Sequence, residues 1–122
     1  MNKIKNKVQL IGNVGEDPMI TVLDKERKKA RLSLATNEYF KNAEGGKVKR
    51  TYWHTLVTWG KVADIVEKHV VKGKEIAIEG KLVSRSYEDK DGNKRYVTEV
   101  IVSEILLLGS IEKKQDTDDD AL

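Results

Sequence analysis

The chain has 122 residues, 39% of them hydrophobic and 35% charged, and it contains no cysteine. That length suits one domain with a small core, and the missing cysteines exclude disulfide staples, zinc–thiolate sites and cysteine nucleophiles. The net charge of +3 hides an asymmetry: all 23 Lys and Arg lie at or before Lys114 against 16 acids up to Gln115, so the body carries +7 and the last seven residues −4. A basic body points to a polyanionic partner, and an acidic end to a separate interaction tail. The longest apolar run, Ile105 to Leu108, is far shorter than a membrane-spanning helix. Met1-Asn2-Lys3-Ile4-Lys5 has no apolar stretch behind its lysines, so no signal peptide is expected and a cytoplasmic location is.

In chain order, Val8 to Val14 is predicted as a strand, with Val8, Leu10 and Val14 on one face and Gly12 between them. Gly15-Glu16-Asp17-Pro18 is a turn, because proline lacks the amide and fixes φ. Ile20 to Leu23 continues as a short strand, and the charged run Asp24 to Lys29 reads as a loop. Ala30 to Asn37 alternates apolar and polar, the period of a half-buried strand. Asn42 to Lys47 is a glycine-containing connection, and Thr51 to Trp59 is rich in aromatic and β-branched residues, which favours another strand. Lys61 to Val71 is the one predicted helix, with Val62, Ile65, Val66, His69 and Val70 recurring at helical spacing and Gly73 as its stop. Glu75 to Tyr87 alternates again, with Ile76, Ile78 and Leu82 inward and a bulge expected at Gly80. Asp91-Gly92 marks a hairpin, and Lys94 to Leu108 returns as a long strand with Tyr96, Thr98, Val100, Val102, Leu106 and Leu108 on one face. The expected fold is all-β with one helix: a five-stranded Greek-key barrel of the oligonucleotide-binding (OB) type, the helix falling between strands 3 and 4. Residues 1–109 form the domain, and 110–122 a short acidic, disordered tail.

Catalytic patterns are missing. His54 and His69 sit on a strand and a helix without metal-ligand spacing, and no Gly-x-Ser-x-Gly elbow occurs. Neither enzyme activity nor a metal or other cofactor is expected. Gly12-Asn13-Val14-Gly15 is a GxxG, but the KH clamp of that pattern joins two helices; here it follows a strand and reads as turn chemistry. Nucleic-acid binding finds more support, because single strands are held by basic grooves with aromatic platforms. Trp53 and Trp59 share strand parity and so one face, with Lys49, Arg50 and Lys61 close in sequence. Tyr87 is flanked by Arg85 and Lys90, and Phe40 by Lys41. Composition and periodicity leave two readings of these aromatics open: filling the core, or stacking bases.

Five ordered blocks resemble the bacterial single-stranded DNA-binding proteins, over roughly residues 6 to 109. They are Asn6 to Pro18; Leu34-Ala35-Thr36-Asn37-Glu38-Tyr39-Phe40; Trp53 to Ala63, reading WHTLVTWGKVA; Lys72-Gly73 with Ile78-Glu79-Gly80-Lys81-Leu82; and Arg95 to Val100. The resemblance implies a homotetramer that binds single-stranded DNA in replication, recombination and repair, at the bacterial nucleoid. It implies base stacking on Phe40, Trp53, Trp59 and Tyr87, and phosphate contacts from Lys7, Lys61, Lys72, Arg85 and Arg95. His54 matches a family histidine at a subunit interface. Val83 and Ser86 stand where better-known members carry cations. The family's acidic tip, which recruits replication and repair proteins, ends in Pro-Phe after a long linker. Here the linker is nearly absent and the end is Asp118-Asp119-Asp120-Ala121-Leu122. Two rivals remain at this point: an accessory protein on the same barrel, such as a primosome component, and a module whose groove binds protein.

Overall fold

A computed structural model describes residues 3–25 and 27–109. It contains strands β1 (Val8–Val14), β2 (Met19–Asp24), β3 (Arg27–Lys41) and β4 (Lys47–Trp59), helix α1 (Gly60–His69), and strands β5 (Glu75–Glu88) and β6 (Lys94–Leu107). The sheet order is β1-β5-β6-β4-β3-β2, and β1 also pairs with β3, which closes it into a barrel. Pro18 interrupts the first barrel strand, so β1 and β2 are two halves lying along β3: Val14 is opposite Leu34, and Met19 opposite Arg31. Counted that way, five strands form the barrel, β4 and β6 being its parallel neighbours. The helix joins the third to the fourth, the order of an OB fold.

Closure needs strands to cross closely, and two glycines permit it. A Cβ on Gly12 would lie 2.2 Å from the Ala35 carbonyl oxygen, and one on Gly80 2.2 Å from that of Ile101. The expected bulge is found here, where the β5–β6 register shifts between Glu79 and Gly80. The core is aliphatic, with Leu34, Leu56, Val66 and Ile76 fully enclosed. The buried Thr58 hydroxyl donates to the Ala30 carbonyl (3.2 Å) rather than going unpaired. The helix end is tied to the first strand: the Gly73 amide donates to the Val14 carbonyl (2.8 Å), and the Val14 amide to the Lys74 carbonyl (2.9 Å).

Several expectations change. The charged run from Asp24 to Lys29 is not a loop: β2 and β3 pair across a tight turn, Asp24 opposite Arg27, and the Asp24 carboxylate accepts from the Arg27 amide and from its Nε, each at 3.0 Å. The hairpin's charges are satisfied by ion pairs, Lys28 with Asp64 and Glu67 of α1, so its turn end needs no apolar face. Strands β3 and β4 also run on to Lys41 and from Lys47, leaving a turn in which the Asn42 side chain accepts from the amides of Glu44 and Gly46. On α1 the buried residues are Ala63 and Val66, with Val70 just beyond, while Ile65 and His69 are exposed. The inward stripe is set one step back, on the small residue Ala63. Finally, Ser103 is an extra residue, since Gly80 pairs with Val102 but Glu79 with Glu104. The parity of β6 therefore flips: Val100 and Val102 are buried, yet Leu106 is exposed, and Ile105 and Leu107 pack on the core instead. Leu82 and Tyr96 lie where β5 and β6 leave the barrel, and both are exposed.

Candidate nucleic-acid interface

Strand pairing assembles one outer face from four strands. On β4, Trp53, Thr55, Val57 and Trp59 alternate outward, opposite Ala35, Ser33, Arg31 and Lys29 of β3. Val57 is level with Ile101 of β6, and two residues earlier on that face Glu99 lies opposite Val83 of β5. Beyond Val83 the same parity carries Arg85 and Tyr87, and Arg95 stands directly across from Tyr87. The face thus joins Trp53, Trp59, Tyr87, Arg85 and Arg95, which are scattered in sequence. Lys49 shares the parity of Trp53 further out along the β3–β4 arm.

Trp53 is not a core residue; it is 62% exposed. Its ring lies against Gly15, where a Cβ would sit 2.4 Å from the ring Cζ3. Gly15 is held there by its amide, which donates to the Ser33 carbonyl (3.0 Å). Any other residue at 15 would push the indole off the sheet, so Gly15 sets the pose of Trp53. Three other aromatics have a cation near the ring: Lys29 Nζ is 5.6 Å from the Trp59 centroid, Arg85 Cζ 6.0 Å from Tyr87, and Arg50 Cζ 5.0 Å from Phe40. Such pairs set positive charge beside an exposed π face.

Other expected positions fall elsewhere. Phe40 and Arg50 have the opposite parity and lie on the other side of the arm; the aromatic sharing Trp53's parity there is Tyr39, opposite Lys49. Lys61 is exposed in the first turn of α1, next to Trp59. Lys72 is exposed in the turn after the helix, its backbone amide donating to Asp17 Oδ1 at 2.8 Å. Lys7 precedes β1 and faces Glu79, with Nζ 3.8 Å from Oε1. His54 is half-buried with its Nε2 3.0 Å from the Thr36 hydroxyl, on the inward parity of β4. Asp118, Asp119, Asp120, Ala121 and Leu122 lie outside the described residues.

Three charged groups on this face escaped the sequence reading. Arg31 and Lys29 show their outward parity in the alternation with Ala30 and Leu32, but not their nearness to Trp59. Glu99 is only 4% exposed and accepts from Arg31 Nη1 (2.5 Å), Arg85 Nε (3.2 Å) and Arg85 Nη2 (3.2 Å). Hydrogen bonds from Arg85, then from Arg31, hold the Glu99 carboxyl below its ordinary range against the opposing effect of burial. Asp89, at the β5–β6 turn, is likewise lowered, chiefly by Arg95, whose Nε is 2.8 Å from Oδ2. Among the described residues no three His, Asp or Glu side chains converge as a metal site, and no helix is long and apolar enough to cross a membrane.

Comparison with known proteins places the sequence and the fold. The model of the single-strand binding protein family matches residues 5–108. Single-stranded DNA-binding protein 1 of Chlorobaculum tepidum is 40% identical over 93% of this chain and 71% of its own length. Single-stranded DNA-binding protein 1 of Xylella fastidiosa is 44% identical over 91% of this chain and 80% of its own. Among solved structures, a Plasmodium falciparum SSB complex with ssDNA superposes with a TM-score of 0.78 at 31% identity, covering 85% of this chain and 95% of that one. With the barrel, its helix and the ordered sequence blocks all in agreement, the chain belongs to the single-strand binding protein family.

Proposed function

We propose that this protein binds single-stranded DNA with little sequence preference, as a binding protein and not an enzyme, in replication, recombination and repair. Bases stack on Trp53, Trp59 and Tyr87, with Phe40 added from the arm. Phosphates meet Lys7, Lys49, Arg50, Lys61, Lys72, Arg85 and Arg95. The observation that carries this reading is Trp53: a large aromatic ring kept outside the core and resting against a glycine. Burial would have gained an indole considerable hydrophobic stabilisation, so its exposure, on a face where Trp59 and Tyr87 each have a cation near the ring, favours a ligand with π faces and negative charge. Every base has a π face, which is why such a platform tolerates sequence.

A homotetramer accompanies this reading. The outer side of β1, β5 and β6 carries an apolar strip, Ile11 (61% exposed), Ala77 and Leu106 (62% exposed), along a shallow groove. A second copy of the chain would cover it, with His54 expected at a subunit contact. The domain of residues 1–109 is followed by the tail of 110–122, whose acids and terminal Leu122 are suited to recruiting partner proteins with a basic rim. A cytoplasmic, nucleoid-associated location follows from the ligand.

The test is titration with oligo(dT) at fixed salt, in competition with duplex DNA and RNA. Base–aromatic stacking is worth about 1–3 kcal/mol per base by alanine substitution in single-strand binders, this family among them. Trp53→Ala is expected to weaken oligo(dT) binding within that range while the barrel stays folded. Equal competition by duplex and single strand would sink the reading.

A further inference from the structure

At the middle of the aromatic face sits a carboxylate, the wrong sign for a surface that meets a polyanion. Glu99 is on β6, which lies between β4, bearing Trp53 and Trp59, and β5, bearing Tyr87. Arg31 reaches it from β3, so this ion pair spans β4, while Arg85 reaches it from β5. The two guanidinium groups are anchored to the two oxygens of one carboxylate, Arg31 on Oε2 and Arg85 on both Oε1 and Oε2. Arg85 uses its Nε–Nη2 edge, which leaves Nη1 unused; Arg31 uses Nη1, which leaves Nε and Nη2. Arg85 is exposed and Arg31 half-buried, whereas the carboxylate between them is enclosed. Without that carboxylate, the two cations would repel and would no longer share one position, each free to meet a phosphate of its own. With it, they are held side by side, and the three charges sum to +1.

We propose that Glu99 is a positioning residue that fuses Arg31 and Arg85 into one phosphate site on the strand between the two stacking platforms. The ligand is a single backbone phosphate of a strand passing from Trp53 and Trp59 towards Tyr87. Guanidinium forks suit phosphate oxygens because their donors are planar and fixed in spacing. The proposal rests on the single-strand reading above and adds a residue, Arg31, and a charge count to it.

The count is measurable. For single strands, log K falls against log salt with a slope of about −0.7 for each phosphate neutralised. Glu99→Gln keeps the side-chain volume and frees the second cation, so the slope should steepen by about 0.7. Arg31→Gln leaves a neutral Arg85–Glu99 pair, and the slope should become shallower by the same amount. Combining Arg31→Gln with Glu99→Gln restores a single cation and should return the slope to that of the parent protein. A purely structural role for Glu99 would lower affinity at every salt concentration and leave the slopes alone. The experiment is a salt series with oligo(dT) of one length on all four proteins, each checked for its thermal melt. If Glu99→Gln does not fold, the Arg31→Gln slope still decides: an unchanged slope overturns the proposal. Unchanged slopes beside normal salt-dependent binding of the parent refute the shared site alone. Absence of oligo(dT) binding by the parent refutes the single-strand reading instead.

Discussion

The barrel presents two outer sheet faces, and strands β5 and β6 contribute to both. Towards the hairpin end these strands carry Arg85, Tyr87, Arg95 and Glu99 on the face shared with Trp53 and Trp59. Past the irregularity at Gly80 and Ser103 they carry Ala77, Glu79, Glu104 and Leu106 on the face shared with Gln9 and Ile11 of β1. The first face is aromatic and cationic. The second is aliphatic, with carboxylates at its border. One extra residue in β6 lies at their junction, where a bulge increases twist and re-aims the side chains that follow it. On the function proposed above, one surface meets a polyanion and the other a second copy of the chain, without either chemistry spoiling the other.

The largest expected effect breaks both faces at once. Gly80→Val places a side chain against the Ile101 carbonyl at the point where β5 and β6 change face. Overpacking of this kind typically costs about 1–3 kcal/mol, more where backbone must move; chemical denaturation should show at least that loss. Leu106→Glu is the next in size and is selective. It should reduce the assembled mass in sedimentation while each subunit still binds a short oligo(dT); loss of binding with mass unchanged would invert the comparison. Gly15→Ala acts only on the aromatic face. By lifting the indole of Trp53 it should weaken oligo(dT) binding by less than Trp53→Ala does, with stability little altered.

The smallest effect is a dependence on pH. Folded Glu99 gives up its proton at lower pH than it would in the unfolded chain. Its contribution to stability is therefore complete above the ordinary carboxylate range, about pH 4, and is lost as pH falls through the lowered folded value. Asp89 acts in the same direction. Thermal melts on acidification should show a steeper loss for the parent protein than for Glu99→Gln, in which one such proton uptake is absent.

Much of the scaffold was legible because it depends on local rules. Alternation located the strands around Leu32 and Leu34, and Asp91-Gly92 located a turn in which Gly92 takes a φ of 82°. The shared parity of Trp53 and Trp59 needed only period two. What could not be read depends on partners distant in the chain. Gly15 and Trp53 are far apart in sequence, and nothing near Gly15 announces that a ring will rest on it. Glu99 reads as one more surface acid until pairing brings Arg31 and Arg85 to it. The charged hairpin after Asp24 misled for the opposite reason: periodicity signals burial, and Arg27, Lys28 and Lys29 are held by ion pairs and a ring contact that an apolar pattern does not signal. The β6 flip at Ser103 is set by closure of the barrel, which a single strand's pattern does not contain.

The central claim is that bases stack on the exposed ring at 53. Replacing Trp59 by Phe keeps an aromatic platform there and leaves Trp53 as the sole tryptophan. Emission from this Trp59→Phe protein should be strongly quenched on titration with oligo(dT) at low salt, and the quench should reverse as salt is added. Saturable binding with Trp53 emission unchanged would contradict the account.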